Sequence, residues 1–542
     1  MIDWAQHLII APVLLPLATG ALLLFISDRQ RALKAMLSLV ATLGLGAIAV
    51  VLLSMQASQN GFDAVYLLGN WIAPFGIVLV LDKLSALMLA LTAVLALPVL
   101  IFSFARWHSA GSHFHSLYQF LLVGLNGAFL TGDLFNLFVF FEVMLAASYG
   151  LLLHGSGPLR VKAGLHYIAV NLAAALLFLI GVSLIYGTAG TLNMADLASR
   201  IPTIEPDRRM LMEAGAAVLG VAFLIKAGMW PLCFWLPSAY SVAAAPVAAI
   251  FSIMSKVGIY IILRLTMLLF PDGASAAFGS NILLYGGMIT IAFGTIGVLA
   301  SQALGRIGAY SVLVSSGTLL AVLGLEDAAV TSSALLYLIS STLTLCAFFM
   351  LVELVERCQD AGASVLAVTM EAYGDADDEI PEEDAGVTMP ATLAMLGICF
   401  ATCAIQLSGL PPLSSFVAKF ALLSAMIGTG SIGLPPTAAA LTIVTLVILG
   451  GLATLIALTR AGIRTFWSSI EGKVPRVLVM EVVPVVLLLT LMAVLTVKAG
   501  PALAYMEATI RSVSNPQAYI DSVGNAVSMP SWRDLQQQAG GD

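Results

Sequence analysis

Long apolar runs separated by short polar segments extend over most of the chain. A helix needs about 20 apolar residues to cross the hydrocarbon core of a bilayer, so these runs predict about 14 membrane spans. We number the spans along the chain. They lie approximately at 8–26, 34–55, 77–103, 115–131, 134–153, 162–186, 211–229, 244–270, 281–300, 306–325, 331–356, 389–428, 437–459 and 479–499. The pattern predicts an all-α integral membrane protein.

The composition excludes a water-soluble fold. The chain is 60% hydrophobic and only 10% charged, whereas soluble domains carry about 25% charged residues. No basic patch with interleaved aromatic residues predicts nucleic-acid binding. The cysteines and histidines form no metal-ligand pattern, and no phosphate-binding or dinucleotide motif predicts a cofactor.

The distribution of Lys and Arg predicts how the spans are oriented. Basic residues concentrate in the loops 27–34, 154–162 and 460–476, which lie on one side if there are 14 spans; the basic loop 187–210 is an exception. Because cytoplasmic loops carry the excess of Lys and Arg, both termini are expected on the outer side of a bacterial inner membrane. The first apolar run lacks the basic start and cleavage site of a leader, so we expect it to be the first span.

One segment has no membrane character. Residues 371–384 carry many acidic residues and no basic one. They fit a solvated connection on the cytoplasmic side. A contact with a neighbouring subunit or an attraction for cations fits the same composition, and the sequence does not separate these interpretations.

Four ionisable residues lie deep within apolar runs, namely Glu142, Lys226, Lys256 and Lys419. A charge at the bilayer centre costs about 2.5–3.5 kcal/mol, and such residues commonly mark ion pathways. Structural ion pairs or lysines that reach the interface are the alternatives. The adjacent Asp82–Lys83 lies at the start of a span, where we expect an interfacial pair.

The chemistry of these four residues suits proton transfer. Burial disfavours the charged form of an acid or a base, and a nearby opposite charge favours it. A Glu142–Lys226 pair would therefore couple the two titrations. Its separation would favour release of the lysine proton.

Two spans contain residues that interrupt a helix. Pro231 and Pro237 follow Lys226, and Gly409, Pro411 and Pro412 precede Lys419. Proline removes a helical hydrogen bond, and the freed backbone groups need protein or water partners. Interrupted helices 7 and 12 lie five spans apart, which predicts two inverted five-helix repeats, helices 4–8 and 9–13. Simple packing kinks are the alternative.

A polar face marks the eleventh span. Ser340, Ser341 and Thr344 lie among its apolar residues and could hold a hydrated bridge between Lys256 and Lys419. Small polar residues also serve helix packing in membranes, which is the competing interpretation.

In combination, these motifs resemble those of the antiporter-like subunits, a family that includes the proton-pumping subunits of respiratory complex I and subunits of Mrp-type Na+/H+ antiporters. The resemblance rests on FFEVML around Glu142, KAGMWPLCFWLP from Lys226, IMSKVG around Lys256 and GLPPLSSFVAKF before and including Lys419. It covers roughly residues 77–460. The segments around Glu142, Lys226 and Lys256 look most like those of the D-type Mrp subunits.

The resemblance implies roles for the buried charges. Glu142 and Lys226 would form the coupling pair, Lys256 the central relay and Lys419 the terminal proton site. It also implies 14 helices, a hydrophilic axis and assembly with Mrp subunits A, B, C, E, F and G in the bilayer. The chain would be a secondary transporter subunit, without a cofactor or catalytic residues, that moves H+ against Na+. It departs from the family where Ser340 and Leu345 stand in place of His and Lys.

Two other functions fit the same residues. The chain could be a proton-pumping membrane subunit of a redox complex related to complex I or a hydrogenase, or a structural subunit that transports nothing. The expected organisation is the same in each case. It comprises 1–110 (helices 1–3), 111–275 (first repeat), 276–460 (second repeat, with an acidic loop at 357–388) and 461–542 (helix 14 and a C-terminal tail).

Overall fold

The fold is almost entirely helical. The computed structural model describes residues 7–27, 29–58, 64–271, 275–373, 391–428, 437–466, 477–526 and 528. The helices are α1 Ala11–Phe25, α2 Arg31–Ser58, α3 Lys83–Ser103, α4 Phe114–Leu130, α5 Leu134–Leu152, α6 Pro158–Ala189, α7 Met194–Arg200, α8 Pro206–Ala227, α9 Trp235–Val242, α10 Ala245–Leu269, α11 Ser280–Ala300, α12 Leu304–Leu323, α13 Ala328–Tyr373, α14 Ala391–Ser408, α15 Ser414–Gly428, α16 Ala438–Phe466, α17 Val479–Val497, α18 Ala499–Val513 and α19 Pro516–Gly524.

The helical membrane fold expected from the sequence is confirmed. In the described part of the chain, 12 helices are long and apolar enough to cross a membrane, and α1 and α15 are shorter apolar helices. The total of 14 spans stays a prediction. A small antiparallel sheet, β1 Ala64–Leu67 and β2 Val78–Leu81, was not predicted. The acidic segment lies almost wholly outside the described residues.

The helices divide into an inner group and an outer group. The most apolar stretch of α10 is 100% buried, whereas those of α2 and α17 are 33% buried. The outer helices expose large aliphatic side chains such as Val40 and Val497. A soluble monomer rarely exposes apolar surface on this scale, so the periphery suits lipid or neighbouring subunits.

Both predicted helix interruptions are present. α8 ends at Ala227 and α9 begins at Trp235, while α14 ends at Ser408 and α15 begins at Ser414. A glycine with positive φ follows each first half, Gly228 at +75° and Gly409 at +79°. Glycine ends helices in this conformation because it has no Cβ to clash. The two breaks therefore share one local geometry.

Most of the predicted breaking residues occupy the breaks, with one correction. Pro231 lies between α8 and α9, and Pro411 and Pro412 lie between α14 and α15. Pro237 instead lies in the first turn of α9. The first turn of a helix tolerates proline because its N–H groups have no partner within the helix. Pro237 therefore opens a half-helix and does not interrupt one.

The expected interfacial pair of Asp82 with Lys83 was wrong. Asp82 is only 3% exposed and forms a salt bridge of 2.8 Å with the buried Arg264 of α10. Its carboxylate also accepts a hydrogen bond of 2.7 Å from the Ser85 N–H and so caps α3. The expectation failed because Arg264, distant in sequence, packs against the start of α3.

The C-terminal segment expected to be a tail forms two helices over this pair. Tyr505 of α18 donates a hydrogen bond to the Lys83 carbonyl at 3.1 Å. The Arg264 guanidinium lies 5.7 Å from the centre of the Tyr519 ring of α19. These contacts join α3, α10 and the C-terminal helices at one end of the bundle.

We expect Arg264→Met to destabilise the protein by about 3–5 kcal/mol, because it leaves the buried Asp82 carboxylate without its charged partner. The loss would appear as a lower midpoint of thermal unfolding of the assembled protein in detergent. The matched control is Arg200→Gln, which removes a surface ion pair with Asp196 worth roughly 0.3–0.5 kcal/mol. Equal shifts in the two variants would contradict this role of the buried pair.

Candidate ion-translocation site

Lys256 lies at the centre of the bundle and is fully buried. Its Nζ donates hydrogen bonds to Ser315 Oγ at 2.8 Å and to Ser316 Oγ at 3.5 Å, both on α12. No carboxylate among the described residues pairs with it. The amine is therefore held only by neutral hydroxyl groups.

Lys419 lies beside the second helix break. Its Nζ donates to the backbone carbonyls of Leu407 at 3.2 Å and Ser408 at 3.0 Å. These carbonyls belong to the last turn of α14, where helical C=O groups lack partners and the helix dipole favours a cation. A Cβ on Gly409 would overlap Lys419 Cδ. Glycine at this position therefore leaves the space that the lysine side chain occupies.

Lys226 lies in the last turn of α8, beside the first break. Its Nζ donates to Asn171 Oδ1 of α6 at 2.9 Å. The direct pair with Glu142 expected from the sequence is not formed, since no salt bridge joins the two among the described residues, although their charges interact electrostatically. The amide takes the position next to the amine that the carboxylate was expected to hold.

Glu142 lies on a partly exposed face of α5. Phe135 and Val139, two turns and one turn before it, are 52% and 42% exposed. Phe135, Val139 and Glu142 follow one another at spacings of four and three residues, which places them on one face of the helix. The carboxylate is therefore placed at the side of the bundle, while the three lysines lie within it or at its breaks.

Lys226 and Lys256 are on helices that pack closely. Gly258 of α10 lies against α8, where an added Cβ would approach the Phe223 carbonyl oxygen to 2.8 Å and Lys226 Cβ to 3.3 Å. No chain of hydrogen bonds between described residues connects the two amines. Gly258, two residues after Lys256, thus brings its helix against the backbone that carries Lys226.

Hydroxyl groups and a small cavity lie between Lys256 and Lys419. Ser315 Oγ donates to Ser341 Oγ of α13 at 3.0 Å. Both serines line a cavity of about 20 Å³ that is also lined by Lys419 and Gln406. A water needs roughly 10–15 Å³ of such space, so the cavity has room for about one. The predicted bridge region is therefore polar and adjoins both lysines.

The three predicted bridge residues differ in what they contact. Ser341 reaches Ser315 as described above, and Thr344 lines the same cavity. The Thr344 hydroxyl donates to its own helix, at the Ser340 carbonyl. Ser340 Oγ lies 3.1 Å from Ser414 Oγ at the start of α15. Ser340 thus joins α13 to the second break.

Sequence reasoning missed three polar residues of this site. No functional role was predicted for Asn171, Ser315 or Gln406. Gln406 Oε1 accepts a hydrogen bond from the Ser415 N–H at 2.9 Å, across the break between α14 and α15. The available signal was an amide within an otherwise apolar span, which is costly unless it is hydrogen-bonded.

This chain is similar to known proteins over nearly its whole length. The family described as "NADH:quinone oxidoreductase/Mrp antiporter, TM" matches residues 131–448. A protein of Rhizobium meliloti, named as the D-type subunit of a probable K(+)/H(+) antiporter, is 60% identical, with 97% of this chain and 99% of the relative covered. Proteins named as the D-type subunits of Na(+)/H(+) antiporters from Alkalihalophilus pseudofirmus and Bacillus subtilis are 34% and 31% identical, each with 96% of this chain and 99% of the relative covered.

Solved structures show the same fold. A chain of the Mrp complex from a Dietzia species has a TM-score of 0.81 at 25% identity, with 97% of this chain and 100% of that chain covered. A chain of respiratory complex I from Thermus thermophilus has a TM-score of 0.71 at 22% identity, with 93% and 99% covered, which is a likeness of fold alone. The family match and the extended similarity to its members show that this chain belongs to the NADH:quinone oxidoreductase/Mrp antiporter transmembrane family.

Proposed function

We propose that this chain is the proton-carrying membrane subunit of a multisubunit antiporter that exchanges a monovalent cation for H+. The observation that carries the proposal is the set of three lysine amines held by neutral acceptors, two of them joined by serine hydroxyls and a small cavity. The names of the similar proteins support the same function. On this proposal the chain is a transporter subunit and not an enzyme.

The proton path that we propose in the second half of the chain runs from Lys256 to Lys419. A serine hydroxyl both donates and accepts a hydrogen bond. Ser315 and Ser341 can therefore pass a proton from the Lys256 amine towards a water in the cavity, and that water reaches Lys419. The hydroxyls and the water would take the place of the titratable His and Lys that the family resemblance implies at Ser340 and Leu345.

In the first half, Lys226 would alternate between two partners. Asn171 holds its Nζ at 2.9 Å, and Glu142 interacts with it electrostatically without a salt bridge. A neutral amide stabilises an ammonium less than a carboxylate does. Movement of the amine from Glu142 to Asn171 would therefore favour release of a proton towards Lys256, and movement back would favour uptake.

We propose only the class of the exchanged cation, which is a monovalent ion. The relative that is 60% identical is named for K+, whereas those at 34% and 31% are named for Na+. The family resemblance led us to expect Na+. Because the relative at 60% identity is named for K+, an assay needs to test both ions. The four charged residues are proposed to carry H+, with the cation moving elsewhere in the complex.

We propose that the protein is in a bacterial inner membrane, with both termini on the outer side, and that it assembles with the other Mrp subunits. The basic loops support this orientation. The similarity to a chain of an Mrp complex supports the assembly. Two inverted repeats are part of the same proposal. They are supported by the matching glycine-ended breaks after α8 and α14.

We expect Glu142→Gln and Lys256→Met each to lower cation/H+ exchange by at least about tenfold, equal to 1.4 kcal/mol or more in the barrier. Each change removes a group that must bind or release a proton. Exchange would be measured as the K+- or Na+-dependent pH change in everted vesicles containing the whole complex. The control is Lys162→Gln, which removes an exposed lysine. Exchange at the control level in both variants, with normal assembly, would refute the proposed roles.

The proposed proton path through serine hydroxyls predicts a partial loss of cation/H+ exchange. The double variant Ser315→Ala/Ser341→Ala should slow exchange several-fold, because each lost hydroxyl removes a step worth roughly 0.5–1.5 kcal/mol of hydrogen bonding. The matched control is Ser333→Ala on the same helix as Ser341, since this buried serine bonds only to the Ala329 carbonyl. An equal rate in the two variants would place the proton path elsewhere.

A further inference from the structure

A second polar cavity lies away from the four charged residues, at one end of the bundle. Its volume is about 270 Å³. It is formed where α2 begins and where the loop before α4 returns to the membrane. The lining residues are Arg31, Lys34, His108, Gly111, Ser112, His113, Phe114 and His115. None of these described lining residues is acidic, so the lining is cationic.

The position of the charges makes the cavity more electropositive. Arg31 and Lys34 lie in the first turns of α2. The N-terminus of a helix carries a partial positive charge, so basic residues there are unfavourable and an anion is favourable. Burial and the nearby Arg31 lower the pKa of His108 in the loop before α4. Both causes keep the ring neutral, so that it can offer an N–H donor without adding charge.

A buried side chain without a hydrogen-bond partner also points to a ligand. His115 is only 3% exposed, and neither of its ring nitrogens has a hydrogen-bond partner among the described residues. His108 Nδ1 is likewise buried without a partner. Buried polar atoms are nearly always hydrogen-bonded, so each exception calls for an explanation. The two rings lie 5.9 Å apart, centre to centre, at the cavity.

We propose that this cavity binds the phosphate group of an anionic ligand, contributed by a phospholipid headgroup of the adjoining leaflet or by free phosphate. Arg31 and Lys34 supply charge, and His108 and His115 supply N–H donors. Phosphate oxygens accept several such hydrogen bonds at once. The cavity lies beside the starts of α2 and α4, and basic pockets at the ends of membrane helices bind anionic lipid headgroups.

The test uses the complete complex purified in detergent. Its thermal unfolding midpoint would be followed during titration with dioctanoyl phosphatidylglycerol, dioctanoyl phosphatidylcholine or inorganic phosphate. A ligand that binds only the folded state raises the midpoint with concentration. The variants are Arg31→Gln/His108→Gln, which removes the Arg31 charge and the His108 imidazole, and His115→Phe, which keeps a ring of similar size and has no donor. Arg29→Gln is the matched control, because exposed Arg29 does not line the cavity.

We expect the anionic lipid to stabilise the wild type and Arg29→Gln, and the cavity variants to need at least about tenfold more of it, as loss of a charged hydrogen bond implies. A matching response to inorganic phosphate at the same concentration would identify free phosphate as the ligand, and no response to it would identify the lipid. Equal stabilisation of all variants, equal stabilisation by the two lipids, or no stabilisation of the wild type by any of the three ligands would overturn the proposal.

Discussion

The three buried lysine amines need hydrogen-bond acceptors inside a medium that offers none. A charge near the bilayer centre costs about 2.5–3.5 kcal/mol, and a hydrogen bond to a charged group returns about 1.5–3 kcal/mol. The short hydrogen bond to Ser315 and the long one to Ser316 at Lys256, or the single amide at Lys226, therefore need not offset the whole cost. The fold can therefore accommodate each lysine without holding its amine permanently in the charged form. The Asp82–Arg264 pair is the opposite case, because each of its buried charged groups has an opposite charge in direct contact.

The helix breaks follow from the same constraint. A continuous helix uses its own carbonyls and has none to offer a lysine in mid-membrane. Ending α14 at Ser408 frees the carbonyls that hold Lys419, and the positive φ of Gly409 turns the chain away without blocking that side chain. Gln406 then bonds across the gap to the start of α15. The break therefore supplies the carbonyl acceptors for the amine, and a hydrogen bond connects its two half-helices.

The sequence predicts the parts of this arrangement that are local. Long apolar runs reveal the spans, a charge inside such a run is conspicuous, and Pro or Gly beside it reveals a break. These signals identified the four ionisable residues and both interruptions. The missed parts are contacts between distant residues. Asn171 and Ser315 become partners of the lysines only when α6 packs on α8 and α12 on α10. Asp82 likewise meets Arg264 across 182 positions, and nothing near either residue signals that pairing. Pro237 was placed in a break because proline signals the start of a helix as well as its interruption.

On the proposed function, these lysines act by exchanging a proton and not by supplying a fixed charge. Lys419→Arg tests it most directly, because arginine keeps the positive charge and is not deprotonated in proteins. Cation/H+ exchange by the reconstituted complex would be compared with wild type at equal assembly. Loss of exchange is the predicted result, whereas exchange near the wild-type rate would contradict the account.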